Sequence, residues 1–146
     1  MGRILAFDYG KKRIGLAVTD QMQIIASPLI TISPSEIENY LLNYLKKEIV
    51  DEFVIGYPVQ MNNKPSDSVR YIDPFLKRLG KLFPDKPLHL VDERFTSKIA
   101  LQTIIEGGVK KKDRRDKSLA DKISASLILQ TYLEKRNFMK GKENKK

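Results

Sequence analysis

Residues 3–19 read RILAFDYGKKRIGLAVT, and this stretch decides the fold of the chain. Two apolar runs, residues 3–8 and 13–19, flank a short turn that contains glycine and lysine, which is the pattern of a β-hairpin. The first run ends on an acidic residue, Asp8. Because α/β proteins place their sites at the carboxyl ends of buried strands, this pattern predicts that Asp8 stands at a functional edge of a sheet.

Hydrophobic periodicity and turn residues predict the elements that follow. We expect a third strand in residues 24–31, at an edge or bent, because Pro28 cannot donate to a ladder. A helix capped by Ser33 should come next, with Glu36 completing the capping box. The same patterns predict strands at 53–56 and 88–93, and helices at 66–80, 97–106 and 118–136. Pro74 lies inside one of these helices and predicts a kink or a late start.

The order β-β-β-α-β-α-β-α-α predicts an α/β fold with a five-stranded mixed sheet and helices on both faces. The first three strands should be antiparallel, and the last two should run parallel to the first through right-handed crossovers. The first strand is then central. We expect a single domain over residues 1–136 and a basic, disordered tail at residues 137–146.

Composition limits the chemistry that this chain can perform. It has no cysteine and a single histidine, His89, which excludes disulfides, thiolate nucleophiles and histidine-rich zinc sites. A metal would have to rest on oxygen ligands, which favours Mg²⁺ or Mn²⁺. We expect His89 to be a strand residue without a catalytic role. No signal-peptide pattern and no apolar run of about 20 residues is present, so we expect a cytoplasmic protein without a membrane partner.

The net charge of +9 is concentrated in two segments. Residues 110–117, KKKDRRDK, carry a net charge of +4, and residues 135–146 carry +5, so the rest of the chain is balanced. Six cations so close together repel one another unless a polyanion is near, and the internal segment therefore predicts a surface for nucleic-acid phosphates. Solubility and a frayed terminus are the favoured explanation of the tail.

Three acidic residues are spaced for a metal site. Asp8 and Glu93 end two strands that should be parallel, at the same edge of the sheet and about 10 Å apart if one strand lies between them. Asp121 begins a helix stripe that continues with Ala125 and Ile128, and a carboxylate on an apolar stripe is costly unless it is paired or binds metal. The three acids together predict an Mg²⁺ or Mn²⁺ site for phosphodiester cleavage.

Each acid also has a structural alternative. Asp8 could instead cap the turn at Gly10, and Glu93 could form an ion pair with Arg94 or with the basic segment 110–117. Asp121 could simply be an acidic residue in the first turns of a helix, where the helix dipole favours a negative charge. A purely structural reading must explain three independent acids at compatible places, so we favour the metal site.

Candidate substrate contacts share a positive charge, an aromatic ring or an amide near the predicted edge. They are Lys11, Lys12, Arg13, Tyr57, Asn62, Arg94, Lys110, Lys111, Lys112, Arg114 and Arg115. Tyr57 follows Gly56 at the end of a strand, where its ring is placed to stack on a base. An ordinary hairpin explains residues 10–13 equally well, and turn geometry alone explains Gly56.

The sequence resembles the bacterial YqgF (RuvX) family in four segments: AFDYGKKRIGLAV at 6–18, IGYPVQMN at 55–62, VDERFTS at 91–97 and ADKISASLILQTYL at 120–133. Proteins of this family are described as pre-16S rRNA nucleases or as Holliday-junction-resolvase-like proteins. The resemblance implies a ribonuclease-H-like fold and a metal-dependent endonuclease that uses Asp8, Glu93 and Asp121. It also implies processing of the 5′ end of pre-16S ribosomal RNA during ribosome biogenesis.

The chain departs from the wider resolvase superfamily at one place. Many relatives carry a fourth acid one turn after the helix aspartate, where this chain has Ser124 and Ala125. This departure predicts that at least one of two metal ions arrives with the substrate.

Three other functions compete with this reading: a Holliday junction resolvase acting on DNA, a non-catalytic nucleic-acid-binding factor in transcription or ribosome assembly, and an ATP-binding domain of the actin and sugar-kinase type. The last is suggested by Asp8, Gly10 and Gly15, yet such proteins clamp the nucleotide between two domains. A binding factor gains nothing from three carboxylates beside its phosphate surface. We expect pre-ribosomal RNA as the partner, with branched DNA as the alternative, and a monomer or weak homodimer.

Overall fold

The computed structural model describes residues 2–57, 69–92 and 117–144, and within the last segment it describes the side chains of residues 123–139. The helix predicted at residues 97–106 lies outside these ranges. None of the described helices is both long and apolar enough to span a membrane.

Five strands form one mixed sheet in the order β3-β2-β1-β4-β5. They are β1 (Arg3–Tyr9), β2 (Ile14–Thr19), β3 (Ala26–Ile32), β4 (Val50–Tyr57) and β5 (Leu88–Asp92). Strand β1 pairs antiparallel with β2 and parallel with β4, and β4 pairs parallel with β5. The predicted mixed sheet, with the first strand at its centre, is therefore confirmed.

Helices cover both faces of this sheet, as predicted. The described helices are α1 (Ile37–Lys47), α2 (Val69–Leu82) and α3 (Lys117–Asn144). Successive side chains of β1 point to opposite faces. Leu5 and Phe7 join the core that includes buried residues of α1 and α2, whereas Ile4 and Ala6 join the core formed with α3. The two cores divide the molecule into two layers on either side of the sheet.

The apolar helix faces follow the predicted periodicity. Ile37 and Leu41 of α1 are buried, as are Ile72, Phe75 and Leu79 of α2. Helix α2 runs through Pro74, whose missing N–H removes one helical hydrogen bond.

Strand β3 lies at an edge of the sheet, as Pro28 predicted. Pro28 pairs with Ala17 next to a register irregularity between the two strands. The strand begins two residues later than expected, because Ile24 and Ile25 belong to the preceding turn. Their N–H groups both donate to Asp20 Oδ1 at 2.8 Å.

The capping box predicted for α1 is wrong. The residue before the helix is Glu36, and no side chain caps the helix start. Ser33 Oγ instead lies 3.0 Å from Ser35 Oγ, and the Ser33 carbonyl accepts the N–H of Glu36 at 3.0 Å. Serine hydroxyls readily form such local contacts, so Ser33 closes a turn that precedes the helix.

Helix α3 continues to Asn144, whereas the sequence predicted its end near Arg136. Residues 137–144 are therefore helical, and the prediction of a disordered tail is wrong over this range. Met139, Lys140, Lys142 and Glu143 are good helix formers and no proline interrupts the segment, whereas Gly141 and the two asparagines disfavour helix. Basic residues at a helix C-terminus are also favoured by the helix dipole.

Candidate active site

Asp8 lies at the carboxyl end of the central strand. Its neighbour Phe7 pairs with Ile55 of β4, so Asp8 is level with Gly56, the next residue of that strand. Because side chains alternate along a strand, Asp8 shares the α3 face of the sheet with Ala6. It is half-buried. The structure thus places this carboxylate at the sheet edge that the sequence predicted.

Strand β5 brings its own carboxyl end to the same edge. Val91 pairs with Gly56 and belongs to the core on the α3 face, and Asp92 pairs with Tyr57. Strand β4 therefore lies between β1 and β5, as the expected 10 Å separation requires. Glu93 follows Asp92 directly but lies outside the described residues, so its convergence with Asp8 remains a prediction.

The stripe that begins with Asp121 in the sequence packs against the sheet in its described part. Ala125 and Ile128 are 0% and 1% exposed, and Tyr132 packs beside them. Asp121 stands four residues before Ala125 in the first turns of α3, and its side chain lies outside the described part. The apolar stripe is confirmed from Ala125 onward, on the face of the sheet that Asp8 shares.

Within residues 2–57, 69–92 and the described side chains of α3, no cluster of three or more histidine, cysteine or acidic residues could hold a metal ion. Of the three predicted ligands, only Asp8 has a described side chain. The metal site formed by these three acids stays a prediction. Its donor set consists of carboxylate oxygens, which is the chemistry that Mg²⁺ and Mn²⁺ prefer.

A tight hairpin presents cations beside the end of β1. The Gly10 N–H donates to the Arg13 carbonyl at 2.9 Å, and a Cβ at Gly10 would lie 2.7 Å from that oxygen. Only glycine therefore fits there without a backbone shift. Lys11 and Lys12 are exposed and Arg13 is half-buried. Lys11 Nζ lies 5.5 Å from the centroid of the Tyr71 ring.

Tyr57 has a structural contact that the sequence did not indicate. Its hydroxyl donates to Asp73 Oδ1 at 3.0 Å, and its ring packs against the core that includes α1 and α2. Desolvation raises the pKa of the Tyr57 hydroxyl, and the bond to Asp73 raises it further. These contacts tie Tyr57 to α2, and its stacking on a base remains a prediction.

The other predicted substrate contacts lie outside the described residues, so their roles also remain predictions. They are Asn62, Arg94, Lys110, Lys111, Lys112, Arg114 and Arg115.

The sequence analysis missed a groove next to this edge, between the start of α1 and α2. It has a volume of about 390 Å³, and its lining includes Tyr9 and Tyr71. Tyr71 is 40% exposed. The sequence did contain one signal for this groove. Tyr71 is an aromatic residue next to Ile72 that does not belong to the apolar face of its helix, which indicates an exposed ring.

A polar network at the opposite end of the sheet was also missed. Glu52 accepts a hydrogen bond from the Tyr132 hydroxyl at 2.7 Å and lies 3.6 Å from Arg136 Nη1. His89 Nε2 is 2.8 Å from Glu52 Oε1, without the alignment of a directed hydrogen bond. Arg136 also donates to Gln23 Oε1 at 2.8 Å. His89 pairs with Val54, which in turn pairs with Ala6, two residues before Asp8, and its described contacts are with Glu52 and Tyr132.

Comparison with known proteins assigns the family. The model of the family described as "RuvX: Holliday junction resolvase" matches residues 2–135. The chain belongs to the RuvX family. This match confirms the resemblance that the four sequence segments indicated.

Curated relatives of this RuvX-family chain carry the name "Putative pre-16S rRNA nuclease". The relative from Phocaeicola vulgatus is 51% identical over 139 residues, which are 95% of this chain and 100% of the relative. The relative from Bacteroides fragilis is 52% identical over 134 residues, 92% of this chain and 97% of its own length. The relative from Christiangramia forsetii is 53% identical over 133 residues, 91% and 98% of the two chains. The similarity therefore extends over nearly the whole of each protein.

Solved structures agree on the fold. The structure titled "T. thermophilus RuvC in complex with Holliday junction substrate" matches with a TM-score of 0.57 at 16% identity, covering 92% of this chain and 96% of the other. A second Thermus thermophilus RuvC structure matches with a TM-score of 0.50 at 15% identity, covering 86% and 92%. The predicted ribonuclease-H-like fold is thereby confirmed.

Proposed function

We propose that this RuvX-family protein is a metal-dependent endonuclease that hydrolyses phosphodiester bonds in structured nucleic acid. The observation that carries the proposal is the position of Asp8, at the carboxyl end of the central strand in a chain whose residues 2–135 match the family. The proposed substrate is the precursor of 16S ribosomal RNA, which the names of relatives about 50% identical support. The proposed location is then the cytoplasm.

Asp8, Glu93 and Asp121 are the residues that would hold the metal. Asp8 shares the α3 face of the sheet, and Asp121 belongs to the first turns of α3. The N-terminal end of a helix dipole favours a negative charge there. A divalent ion held there would supply the activation of water and the charge stabilisation that phosphodiester hydrolysis needs.

The cations near the site support a phosphate-bearing substrate. Lys11 and Lys12 are exposed at the hairpin that follows Asp8. In the sequence, the cationic segment 110–117 directly precedes the beginning of the stripe at Asp121. Opposite charges raise the local concentration of a polyanion and speed its association, so phosphate capture and cleavage would occur side by side.

A second candidate substrate is a four-way DNA junction. The observation that favours it is the description of the matching family as a Holliday junction resolvase. The two candidates share the same carboxylates and the same hydrolytic chemistry, and they differ in the substrate that the cationic surface accepts.

The test is a cleavage assay that offers the protein a precursor of 16S ribosomal RNA and, separately, a four-way DNA junction. Wild-type protein and Asp8→Asn are compared with Mg²⁺, with Mn²⁺ and with a chelator. We expect wild type to cut the RNA precursor only when metal is present, and Asp8→Asn to cut neither substrate.

The outcomes separate the candidates. Preferential cutting of the junction would replace the RNA assignment with the DNA assignment. Undiminished cleavage by Asp8→Asn, or cleavage that survives the chelator, would overturn the carboxylate and metal assignment.

A second test addresses the cationic segment. Replacing the cations at 110–112, 114 and 115 with glutamine should weaken nucleic-acid binding. It should also make the binding constant less dependent on salt: for duplex DNA, the slope of its logarithm against the logarithm of the salt concentration should become shallower by roughly 0.9 for each lost phosphate contact. The matched control neutralises Lys77 and Lys81 of α2, which lie outside the candidate surface. An unchanged slope in the segment variant would remove residues 110–115 from the interface.

A further inference from the structure

The groove between α1 and α2 opens beside the end of β1. Its volume of about 390 Å³ is near the lower limit for small-ligand sites, which span about 300–1,000 Å³. Tyr9 comes from β1, Ser35 from the turn before α1, Asn39 from α1, and Tyr71 and Arg78 from α2. A groove of this size admits one ring-sized group with its substituents and is too small for a double helix.

Two aromatic rings form part of the lining. Tyr71 is 40% exposed. Tyr9 packs on the core residue Phe75, with 4.6 Å between ring centroids and 32° between planes, and this contact holds the Tyr9 ring in place. An exposed ring beside a preformed cavity is a surface on which another planar ring can stack.

The polar part of the lining carries both donors and acceptors. Arg78 donates to both carboxylate oxygens of Glu38, at 2.7 and 3.3 Å, which fixes the two side chains against each other. Ser35 and Asn39 add a hydroxyl and an amide. An aromatic face combined with mixed hydrogen-bonding groups suits the face and edge of a nucleobase better than it suits an aliphatic chain.

The groove is connected to the candidate active site through the hairpin. Tyr9 follows Asp8 directly, and alternation along β1 directs their side chains to opposite faces of the sheet. Lys11 lies in the hairpin, and its Nζ is 5.5 Å from the Tyr71 ring centroid. In the structure Lys11 Nζ lies over this ring. A phosphate of a strand held at Asp8 would draw the ammonium away from Tyr71 and leave the ring face to the attached base.

We propose that this groove binds one unpaired base of the substrate strand, with Tyr71 as the stacking surface. The identity of the ligand rests on the proposed nuclease function. The base must be unpaired, because a base stacked inside a duplex has no free face to offer. The groove would then direct cleavage to places where a paired region meets a single strand.

The experiment measures binding in the presence of a chelator, so that no cleavage occurs. The probe is a short single-stranded RNA that carries the fluorescent base 2-aminopurine, whose emission is quenched by stacking. Wild type and Tyr71→Phe, which retains the ring, should quench the probe equally. Tyr71→Ala should bind about tenfold more weakly and lose the quenching, because it removes one stacking ring.

Fully paired RNA of the same sequence is the control ligand, and all three proteins should bind it equally. Equal single-strand binding and quenching by Tyr71→Ala and wild type would overturn the proposal, as would an equal loss of duplex binding. The result is independent of the nuclease assignment. Quenching without metal-dependent cleavage would support base binding in the groove and overturn the nuclease function. Metal-dependent cleavage together with unchanged binding by Tyr71→Ala would support the nuclease function and overturn base binding in the groove.

Discussion

The two ends of the sheet use their polar side chains differently. At the end where β1 stops, Lys11 and Lys12 are exposed. At the opposite end, Gln23 Nε2 donates to the Gly2 carbonyl at 2.6 Å and to Asp51 at 3.0 Å, and the Glu52 cluster continues the network into α3. Polar groups that satisfy one another within the protein hold its parts together, whereas exposed cations remain available to an external anion.

Backbone strain distinguishes the same two ends. Gln23 has a φ of 58°, and no other non-glycine residue in the described part of the chain has a positive φ. Such a conformation persists only when the surroundings determine it strongly. Gln23 is buried and held by Arg136 as well as by Gly2 and Asp51. Backbone strain often marks functional sites, but the hydrogen-bond partners of Gln23 all lie at the end of the sheet opposite Asp8, so its strained conformation serves the structure.

The largest expected effect is on cleavage, and it comes from comparing the same substitution at one aspartate from each end of the sheet. Asp8→Asn should lower metal-dependent cleavage by at least about 100-fold, since metal-assisted charge stabilisation accounts for several kcal/mol. Its free energy of unfolding should change by less than about 1 kcal/mol. Asp51→Asn is the matched control, because Asp51 accepts the N–H of Gly2 at 2.9 Å far from the site. It should retain cleavage and lose roughly 1 kcal/mol of stability. Equal loss of cleavage in both variants would contradict the division between the ends.

The next effect concerns the network itself. Glu52→Gln should lower the free energy of unfolding by roughly 2 kcal/mol, because it removes the charge shared by Tyr132, His89 and Arg136. Urea denaturation measures this change. The control is Glu38→Gln on an exposed ion pair with Arg78, which should cost less than about 0.5 kcal/mol. Similar losses in the two variants would show that the network adds little beyond a surface ion pair.

A smaller effect is expected from Tyr132→Phe. It removes the hydrogen bond to Glu52 and should cost about 1 kcal/mol at neutral pH. Burial, together with that bond, raises the pKa of Tyr132 well above its ordinary value of 10.0. The neutral form is thus favoured in the folded state, and its contribution is complete below pH 10 and is lost as the pH rises further. Denaturation at alkaline pH should therefore show a shallower loss of stability in Tyr132→Phe, and an unchanged slope would contradict this account.

The smallest effect lies in the turn before β3. Backbone N–H groups of Ile25 and Ile24 lower the pKa of the Asp20 carboxyl below its ordinary value of 3.8. The ionised form is favoured in the folded state, so its contribution is present above pH 3.8 and is lost as the pH falls through the lowered value. Asp20→Asn should melt slightly below wild type at neutral pH, and the difference should shrink in acid. A constant difference across this range would show that the charge of Asp20 is not the cause.

Most of the fold was predictable because each step depends on local pattern. An apolar run, a turn and a second run define the β1–β2 hairpin, and the crossover rule then sets the order of the strands. The stripe through Ala125 and Ile128 was predictable from its helical spacing. The end of α3 was not predictable, because residues 137–144 combine good helix formers such as Met139 and Glu143 with Gly141 and two asparagines, and their charge is equally typical of a disordered tail.

The parts that sequence reasoning missed depend on contacts between distant residues. Arg136 and Gln23 are 113 positions apart, and no periodic pattern links them. Ser33 satisfied a local capping signature, yet its hydroxyl contacts Ser35. For the candidate site, the end of an apolar strand was enough to locate Asp8, but the groove at Tyr71 arises only when α1 and α2 meet on the sheet.

The edge strand β3 has a consequence for the behaviour of the protein in a crowded solution. An unprotected sheet edge is a template on which another chain can add a strand and begin an aggregate. Here Pro28 lacks a backbone donor, and the irregularity beside it shifts the register of the pairing with β2. Both features interrupt the regular row of hydrogen-bonding groups that an incoming strand would need. A residue that looks like a defect in the strand thereby protects the folded chain from self-association through this edge.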